Sequence, residues 1–133
     1  MASLYMLDTN AASHFIRGDR PALTLKFRST DRQFLCISAI TEAELLFGVA
    51  NKPAATRLGS LVIKFLNEIR SEPWTTLEAQ TYADLRAELQ RSGKTLSLMD
   101  SLIAAHALTL GATLITADKA FLMVDGLTVE NWA

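Results

Sequence analysis

Short continuous runs of apolar residues alternate with longer amphipathic stretches along the whole chain. The apolar runs predict strands over Leu4–Leu7, Phe34–Ile37, Ala112–Ile115 and Leu127–Glu130, with a further extended segment over 72–74. Continuous apolar strands are typical of a parallel sheet, because helices cover both of its faces. The pattern therefore predicts an α/β sandwich, with a parallel sheet of about four to five strands between two layers of helices.

Helix start and stop signals divide the stretches between these strands. They predict helices over Thr9–Arg17, 21–28, 38–51, Pro53–Arg70, 75–92 and 97–110. Ser38 is expected to cap one of them, and the pair Thr75 and Glu78 forms a capping box at the start of another. No linker, repeat or low-complexity segment interrupts the series, so residues 1–133 are predicted to form a single domain.

Composition and charge narrow the class of protein. Half of the residues are hydrophobic, which is enough for a substantial core, and the formal net charge is −1. That charge gives no global field to attract nucleic acid or a membrane surface. The single cysteine, Cys36, lies in an apolar run, so we expect a buried thiol in a reducing compartment. Without a signal pattern or a bilayer-length apolar segment, the sequence predicts a cytoplasmic protein with no membrane partner.

Three aspartates occupy positions where this kind of sheet collects ligands. Asp8 follows the first strand, Asp118 follows the strand in ATLIT, and Asp100 lies in the first turn of an apolar helix. Because ligands bind outside the carboxyl ends of parallel strands, we expect all three side chains near that edge. Each also has an ordinary structural interpretation, as a helix cap, a capping-box residue or an Asx-turn.

The helix after the second strand adds a fourth acid, which is either Glu42 or Glu44. One face of its helical wheel collects the apolar residues Ile40, Ala43, Leu46, Phe47 and Ala50. The two glutamates fall on opposite margins of that face. The helical wheel therefore leaves the choice between them open, and a solvated glutamate remains the alternative for both.

Converging carboxylates predict a cation and a hydrolytic reaction. Without a cation, several carboxylates on one rim repel each other and hold protons. Their hard oxygen atoms suit Mg²⁺ or Mn²⁺, ions that serve phosphodiester hydrolysis. No serine has an identifiable histidine partner, and His106 is predicted to be a packed structural residue. Water is therefore the expected nucleophile, and it leaves 5′-phosphate and 3′-hydroxyl ends.

Four blocks in order, MLDTN, ISAITEAELLFG, D-SLIAAHAL-LGATLIT-D--F and GLTVENW, resemble the PIN-domain ribonucleases, above all the VapC toxins of bacterial toxin–antitoxin pairs. The resemblance implies a PIN-like three-layer sandwich. It also implies an acidic site of Asp8, Glu44, Asp100 and Asp118, and so selects Glu44. It implies an endoribonuclease dependent on Mg²⁺ or Mn²⁺, which inhibits translation by cutting RNA, most often a tRNA anticodon loop. The implied protein partner is a cognate antitoxin that binds across the site.

Residues around the four acids receive supporting roles. The hydroxyls of Thr9 and Thr116 adjoin acids, so they are expected to orient a water or a carboxylate, with capping as the alternative. Arg86, Arg91 and Lys94 are candidates for holding RNA phosphates, with a solvated helix end as the alternative. The apolar helix predicted over Pro53–Arg70 offers more hydrophobic surface than a thin sheet covers, which favours a homodimer.

Three other functions are compatible with a doubly wound fold. A receiver-type phosphoacceptor would pair acids after its first strand, and Asp8 has no such neighbour. A dehalogenase-type phosphatase would require Asp-x-Asp, where this chain has Asp8-Thr9-Asn10. The third alternative is a catalytically silent PIN-fold domain that binds RNA or protein. The presence of all four acids argues against it.

Overall fold

A five-stranded parallel sheet lies at the centre of the protein, which a computed structural model describes over residues 3–133. Met1 and Ala2, which belong to the predicted domain range, lie outside the described residues. The strands are β1 (Tyr5–Leu7), β2 (Leu35–Ser38), β3 (Arg70–Glu72), β4 (Thr113–Ile115) and β5 (Val129–Glu130). Their spatial order is β3-β2-β1-β4-β5 and every pairing is parallel, which confirms the predicted sheet.

Helices connect these strands, and most of them begin at a capping side chain. They are α1 (Thr9–Arg17), α2 (Pro21–Ser29), α3 (Ala39–Ala50), α4 (Thr56–Glu68), α5 (Thr76–Arg91) and α6 (Leu98–Leu110), with short 3₁₀ helices over Arg32–Phe34 and Lys119–Met123. The predicted capping box of Thr75 and Glu78 opens α5, and Ser38 caps α3. Within residues 3–133, every helix is too short or too polar to cross a membrane.

Alternating residues of the inner strands build two separate cores, one on each face of the sheet. Leu7 and Ile115 face the core under α1, α2, α3 and α4, whereas Met6 and Leu114 face the core under α5 and α6. All four side chains are almost completely buried. The protein is therefore a three-layer α/β sandwich, as the sequence predicts.

The region around α4 and β3 differs from its prediction at both ends. The helix predicted over Pro53–Arg70 is wrong at its limits, because α4 spans only Thr56–Glu68. The extended segment lies at Arg70–Glu72 instead of 72–74, because these residues pair with Cys36 to Ser38 of β2. Pro73 has no N–H with which to continue that ladder, so the strand ends before it.

The buried face of α3 also differs from its prediction. Thr41 and Leu45 face the core, while Leu46 and Phe47 are 40% and 68% exposed. A helical wheel that sorts residues by hydrophobicity predicts that Thr41 faces the solvent. Here the Thr41 hydroxyl lies 3.1 Å from the Thr9 hydroxyl, within hydrogen-bond distance, so burial leaves the polar group satisfied.

The packed roles predicted for Cys36 and His106 are confirmed. Both side chains are fully buried, and burial raises the pKa of the Cys36 thiol to about 12. The His106 Nδ1 lies 2.7 Å from Ser38 Oγ, a contact that ties α6 to the end of β2. Burial lowers the pKa of His106, although the negative charge of Glu78 acts in the opposite direction.

Candidate active site

Asp8 stands at the carboxyl edge of the sheet, directly after β1. Its N–H donates to the carbonyl of Ile115 over 3.0 Å, and its Oδ1 accepts the N–H of Ala11 over 2.8 Å and so caps α1. The residue is only 4% exposed. Burial raises the pKa of Asp8, although hydrogen bonds from the Thr116 hydroxyl and the Ala11 N–H act against the rise. The structure thus holds a carboxylate where its charge is poorly solvated.

Asp100 enters the same neighbourhood from the first turn of α6. Its N–H donates to Ser97 Oγ over 3.1 Å, which is one of the two hydrogen bonds of the predicted capping box. Partial burial raises the pKa of Asp100, and the negative charge of Asp118 raises it further. The charges of Asp100 and Asp118 also raise the pKa of Asp8. Asp100 and Asp118 are therefore close enough to Asp8 for their charges to disfavour its ionised form.

Asp118 reaches the group from the carboxyl end of β4. Its N–H donates to Thr116 Oγ1 over 3.0 Å, and its Oδ1 accepts the N–H of Ala120 over 2.9 Å at the start of a 3₁₀ helix. Unlike Asp8, it is exposed. The buried Thr116 thus accepts the N–H of Asp118, and its hydroxyl also acts against the rise in the pKa of Asp8.

Glu44 lies on α3 and contacts Thr9, the residue that follows Asp8. Its Oε1 accepts a short hydrogen bond of 2.6 Å from Thr9 Oγ1. Glu42 instead accepts a hydrogen bond from Ser71 Oγ, next to β3. Of the two glutamates, Glu44 is therefore the one that a hydrogen bond connects to the Asp8 segment, in keeping with the choice that the resemblance implies.

Thr41 is the neighbour of this group that the sequence prediction missed. The Thr9 hydroxyl donates to Glu44 and also lies within hydrogen-bond distance of Thr41 Oγ1, which is fully buried. The available signal was a threonine one helical turn before Glu44 in a mostly apolar helix. Its hydroxyl helps to fix the Thr9 side chain, and through it the direction of the glutamate.

A divalent cation requires several oxygen ligands around one point. Among residues 3–133, no three His, Cys, Asp or Glu side chains are close enough together to form a ready-made cation site. The donor chemistry nevertheless fits, because Asp8 and Asp100 have raised pKa values in a group made only of hard oxygen donors. A cation would offset both the desolvation and the mutual repulsion of these carboxylates.

The three cationic candidates for RNA binding make their contacts elsewhere. Arg91 pairs with Glu88 at 3.0 Å, and Arg86 donates to the Tyr82 hydroxyl on its own helix. Lys94 lines a cavity of about 300 Å³ whose other lining side chains include the acids Asp84, Glu88 and Asp125. In the described part of the chain, none of the three has a hydrogen bond or an ion pair with the four acids.

Comparison with known proteins assigns the fold and the acidic edge to a class. The family model described as "PIN domain" matches residues 5–127, which includes all four acids. A solved structure of DNA-bound VapBC from Salmonella typhimurium superimposes with a TM-score of 0.92 at 28% identity, over 99% of this chain and 100% of that one. VapBC2 from Rickettsia felis, solved with a promoter DNA fragment, gives 0.88 at 28% identity, over 98% and 99% of the two chains.

Curated relatives agree in length and sequence. Ribonuclease VapC2 of Haemophilus influenzae is 32% identical over 129 residues, 96% of this chain and 97% of its own. The tRNA(fMet)-specific endonuclease VapC of Salmonella typhimurium is 31% identical over 130 residues, again 96% and 97%. The chain therefore belongs to the PIN-domain family and, within it, to the VapC ribonucleases of toxin–antitoxin systems.

Proposed function

We propose that the protein is a divalent-cation-dependent endoribonuclease that acts as the toxin of a toxin–antitoxin pair. One observation carries the proposal: Asp8 and Asp118 follow the neighbouring strands β1 and β4 at one edge of the sheet, and Asp8, which is almost completely buried there, feels the charges of both Asp100 and Asp118. Such a cluster of carboxylates lowers the stability of the fold, so its presence points to a ligand that stabilises it when bound. The names of the VapC relatives supply the reaction class.

The chain's own residues would hold the cation and order the site around it. Asp8 and Asp100 are the principal candidate ligands, with Asp118 and Glu44 completing the set. When bound, Mg²⁺ or Mn²⁺ supplies positive charge that activates water and neutralises the phosphate. The Thr116 hydroxyl favours the ionised form of Asp8, and the Thr9 hydroxyl sets the direction of Glu44. Both threonines therefore act as positioning residues.

We further propose a loop of tRNA as the substrate, with the cytoplasm as the place of action. Two of the relatives, from Shigella flexneri and Salmonella typhimurium, bear the name tRNA(fMet)-specific endonuclease. Nucleotides in a loop are unstacked and splayed, so a phosphodiester there reaches a site at a sheet edge more easily than one in a duplex. Inhibition of translation would follow from loss of the cut tRNA.

The proposal is tested by incubating the purified protein with total tRNA and Mg²⁺ or Mn²⁺, then mapping the ends of the fragments. We expect cuts in loops, with 5′-phosphate and 3′-hydroxyl ends, and complete inhibition by EDTA. Asp84→Asn, which changes an acid outside the site, serves as the matched control and should cut normally. Fragments with 2′,3′-cyclic phosphate, or cleavage that survives both EDTA and Asp100→Asn, would contradict the proposed reaction.

The second part of the proposal is a protein partner for the groove between α1, α3 and α4. The structural neighbours of this chain are VapBC complexes, and a groove of about 200 Å³ runs from Glu44 and Thr9 past Val49 and Leu58. Exposed Phe47 lies on the same helix as Glu44. We propose that the antitoxin occupies this groove and thereby covers the acidic site.

The homodimer predicted from the sequence remains a prediction. The described residues include large exposed apolar side chains that a second copy would cover: Phe47, Ile63, Leu77 and Leu98. Light scattering at micromolar concentration should therefore give twice the mass of the chain. A monomer under those conditions would count against the dimer.

A further inference from the structure

A cavity of about 280 Å³ opens beside the acidic site, on the side away from Glu44. Its lining includes Thr116 and Asp118, which also belong to the acidic site, so the two spaces share a wall. Side chains of the opposite wall come from α1, from the segment before α2 and from the chain after β5: Asn10, His14, Arg20 and Trp132. We call this space the strand-end cavity.

The floor of the strand-end cavity is apolar and firmly packed. Leu23 and Trp132 line it and are only 3% and 7% exposed. The Trp132 ring packs against the Tyr5 ring with centroids 5.2 Å apart, and its Nε1–H donates to Glu130 over 3.0 Å. A floor held from two sides in this way keeps its shape, which suits a flat, rigid ligand.

The rim of the cavity combines an amide with positive charge. Asn10 is exposed and lines the cavity at its rim. Arg20 lines this side of the cavity and lies 3.9 Å from Asp19, an exposed acid outside the lining. Arg20 therefore supplies the positive charge of this side, across the cavity from Asp118.

We propose that the strand-end cavity binds the nucleobase next to the phosphodiester that is cut. The inference rests on the proposed ribonuclease function and extends it to a specificity site. In this arrangement one phosphate is held at the acids, the strand continues past Asp118, the base enters the cavity and the next phosphate meets Arg20, because Asp118 and Arg20 line the same cavity. The Asn10 amide offers a donor and an acceptor side by side, which matches the edge of a base.

The first test measures binding and needs no cleavage. Nucleoside 5′-monophosphates are titrated into ¹⁵N-labelled protein while the indole N–H signal of Trp132 is followed, with Trp74→Phe to assign the two tryptophans. We expect the nucleotides to shift the Trp132 signal and ribose 5-phosphate, which has no base, to leave it in place. Asn10→Ala should weaken binding about ten-fold, as loss of a base-edge hydrogen bond predicts, and the exposed helical control Asn67→Ala should not.

The second test uses RNA oligonucleotides from which one base at a time is removed around the cut. The wild type should lose about ten-fold in cleavage rate when one flanking base is missing. Asn10→Ala should lose much less from the same removal, because its contact is already gone. Equal losses in both proteins would overturn the proposal, and so would a Trp132 shift with ribose 5-phosphate equal to that with nucleotides.

The two tests separate the pocket from the proposed function. If no RNA is cut with any cation, the ribonuclease proposal fails, while the nucleotide titration still decides whether the cavity binds a base. If RNA is cut but nucleotides leave the Trp132 signal unchanged, the cavity proposal fails alone. An antitoxin side chain as the natural occupant would give that second result.

Discussion

Replacing Asp8 by asparagine is expected to abolish RNA cleavage and, at the same time, to raise the melting temperature of the cation-free protein. The loss of activity should exceed about 100-fold, the upper range for residues that merely support a metal ligand. Asparagine caps a helix as well as aspartate does, so the bond to the Ala11 N–H is kept. What disappears is a buried negative charge that faces Asp100 and Asp118.

The gain in stability should depend on pH in a defined direction. The pKa of folded Asp8 lies above its usual value of 3.8, mainly because of burial. Folding therefore favours the protonated form of Asp8. The contribution of this protonation to the free energy of unfolding is complete below pH 3.8 and is lost as pH rises through the pKa of the folded state. The advantage of Asp8→Asn over the wild type should be large at neutral pH and vanish toward pH 3.8.

Thermal melts in EDTA between pH 4 and pH 7.5 would measure this difference. The matched control is Asp31→Asn, because Asp31 also caps a short helix with its carboxylate but stands outside the acidic cluster. Its melting temperature should follow the wild type at every pH. If Asp8→Asn melts well below the wild type at neutral pH, Asp8 stabilises the fold as a helix cap. That result would contradict the proposal that its buried charge destabilises the cation-free protein.

Truncating Phe121 to alanine is expected to destabilise the protein by about 3–5 kcal/mol, as for other large buried aromatics. Its ring is 1% exposed and packs in the core under α6. It also anchors the 3₁₀ helix that begins after Asp118. A total stability of about 5–15 kcal/mol is usual for a domain, so this loss would remove a large part of it and loosen the Asp118 segment.

Urea denaturation of the variant is the direct measurement, with RNA cleavage below the transition as a second readout. Leu122→Ala provides a matched control, since the adjacent Leu122 is 66% exposed and should change the free energy of unfolding by less than about 0.5 kcal/mol. Similar urea midpoints for Phe121→Ala and Leu122→Ala would mean that burial of Phe121 does not hold the segment after Asp118 in place.

Features that depend on neighbours in sequence could be predicted well. The capping box at Thr75 forms within four residues, and the unbroken apolar runs of β1, β2 and β4 require two covering layers. The positions of Asp8 and Asp118 follow from the same logic, because the first few residues after a parallel strand lie at the ligand-binding edge of the sheet. These predictions needed no knowledge of which helix packs where.

Features that depend on distant partners could not be predicted. Phe47 is exposed and Thr41 is buried because of what α1 presents to α3, and the wheel contains no information about α1. The cavity that Lys94 shares with Asp84 and Asp125 likewise depends on tertiary placement, because these residues come from separate segments. The strand-end cavity combines side chains from opposite ends of the sequence, so no local sequence pattern predicts it.

The central position of β1 has a consequence for the cell that makes this protein. Tyr5 of β1 pairs on one side with Thr113, and Asp118 follows later still. During synthesis the acidic cluster therefore stays incomplete until the segment after β4 has left the ribosome. Pairing across so long a separation is also slow. If the acidic cluster is the catalytic site that we propose, we expect a newly synthesised chain to be inactive for an interval, and an antitoxin that is already folded to bind it within that time.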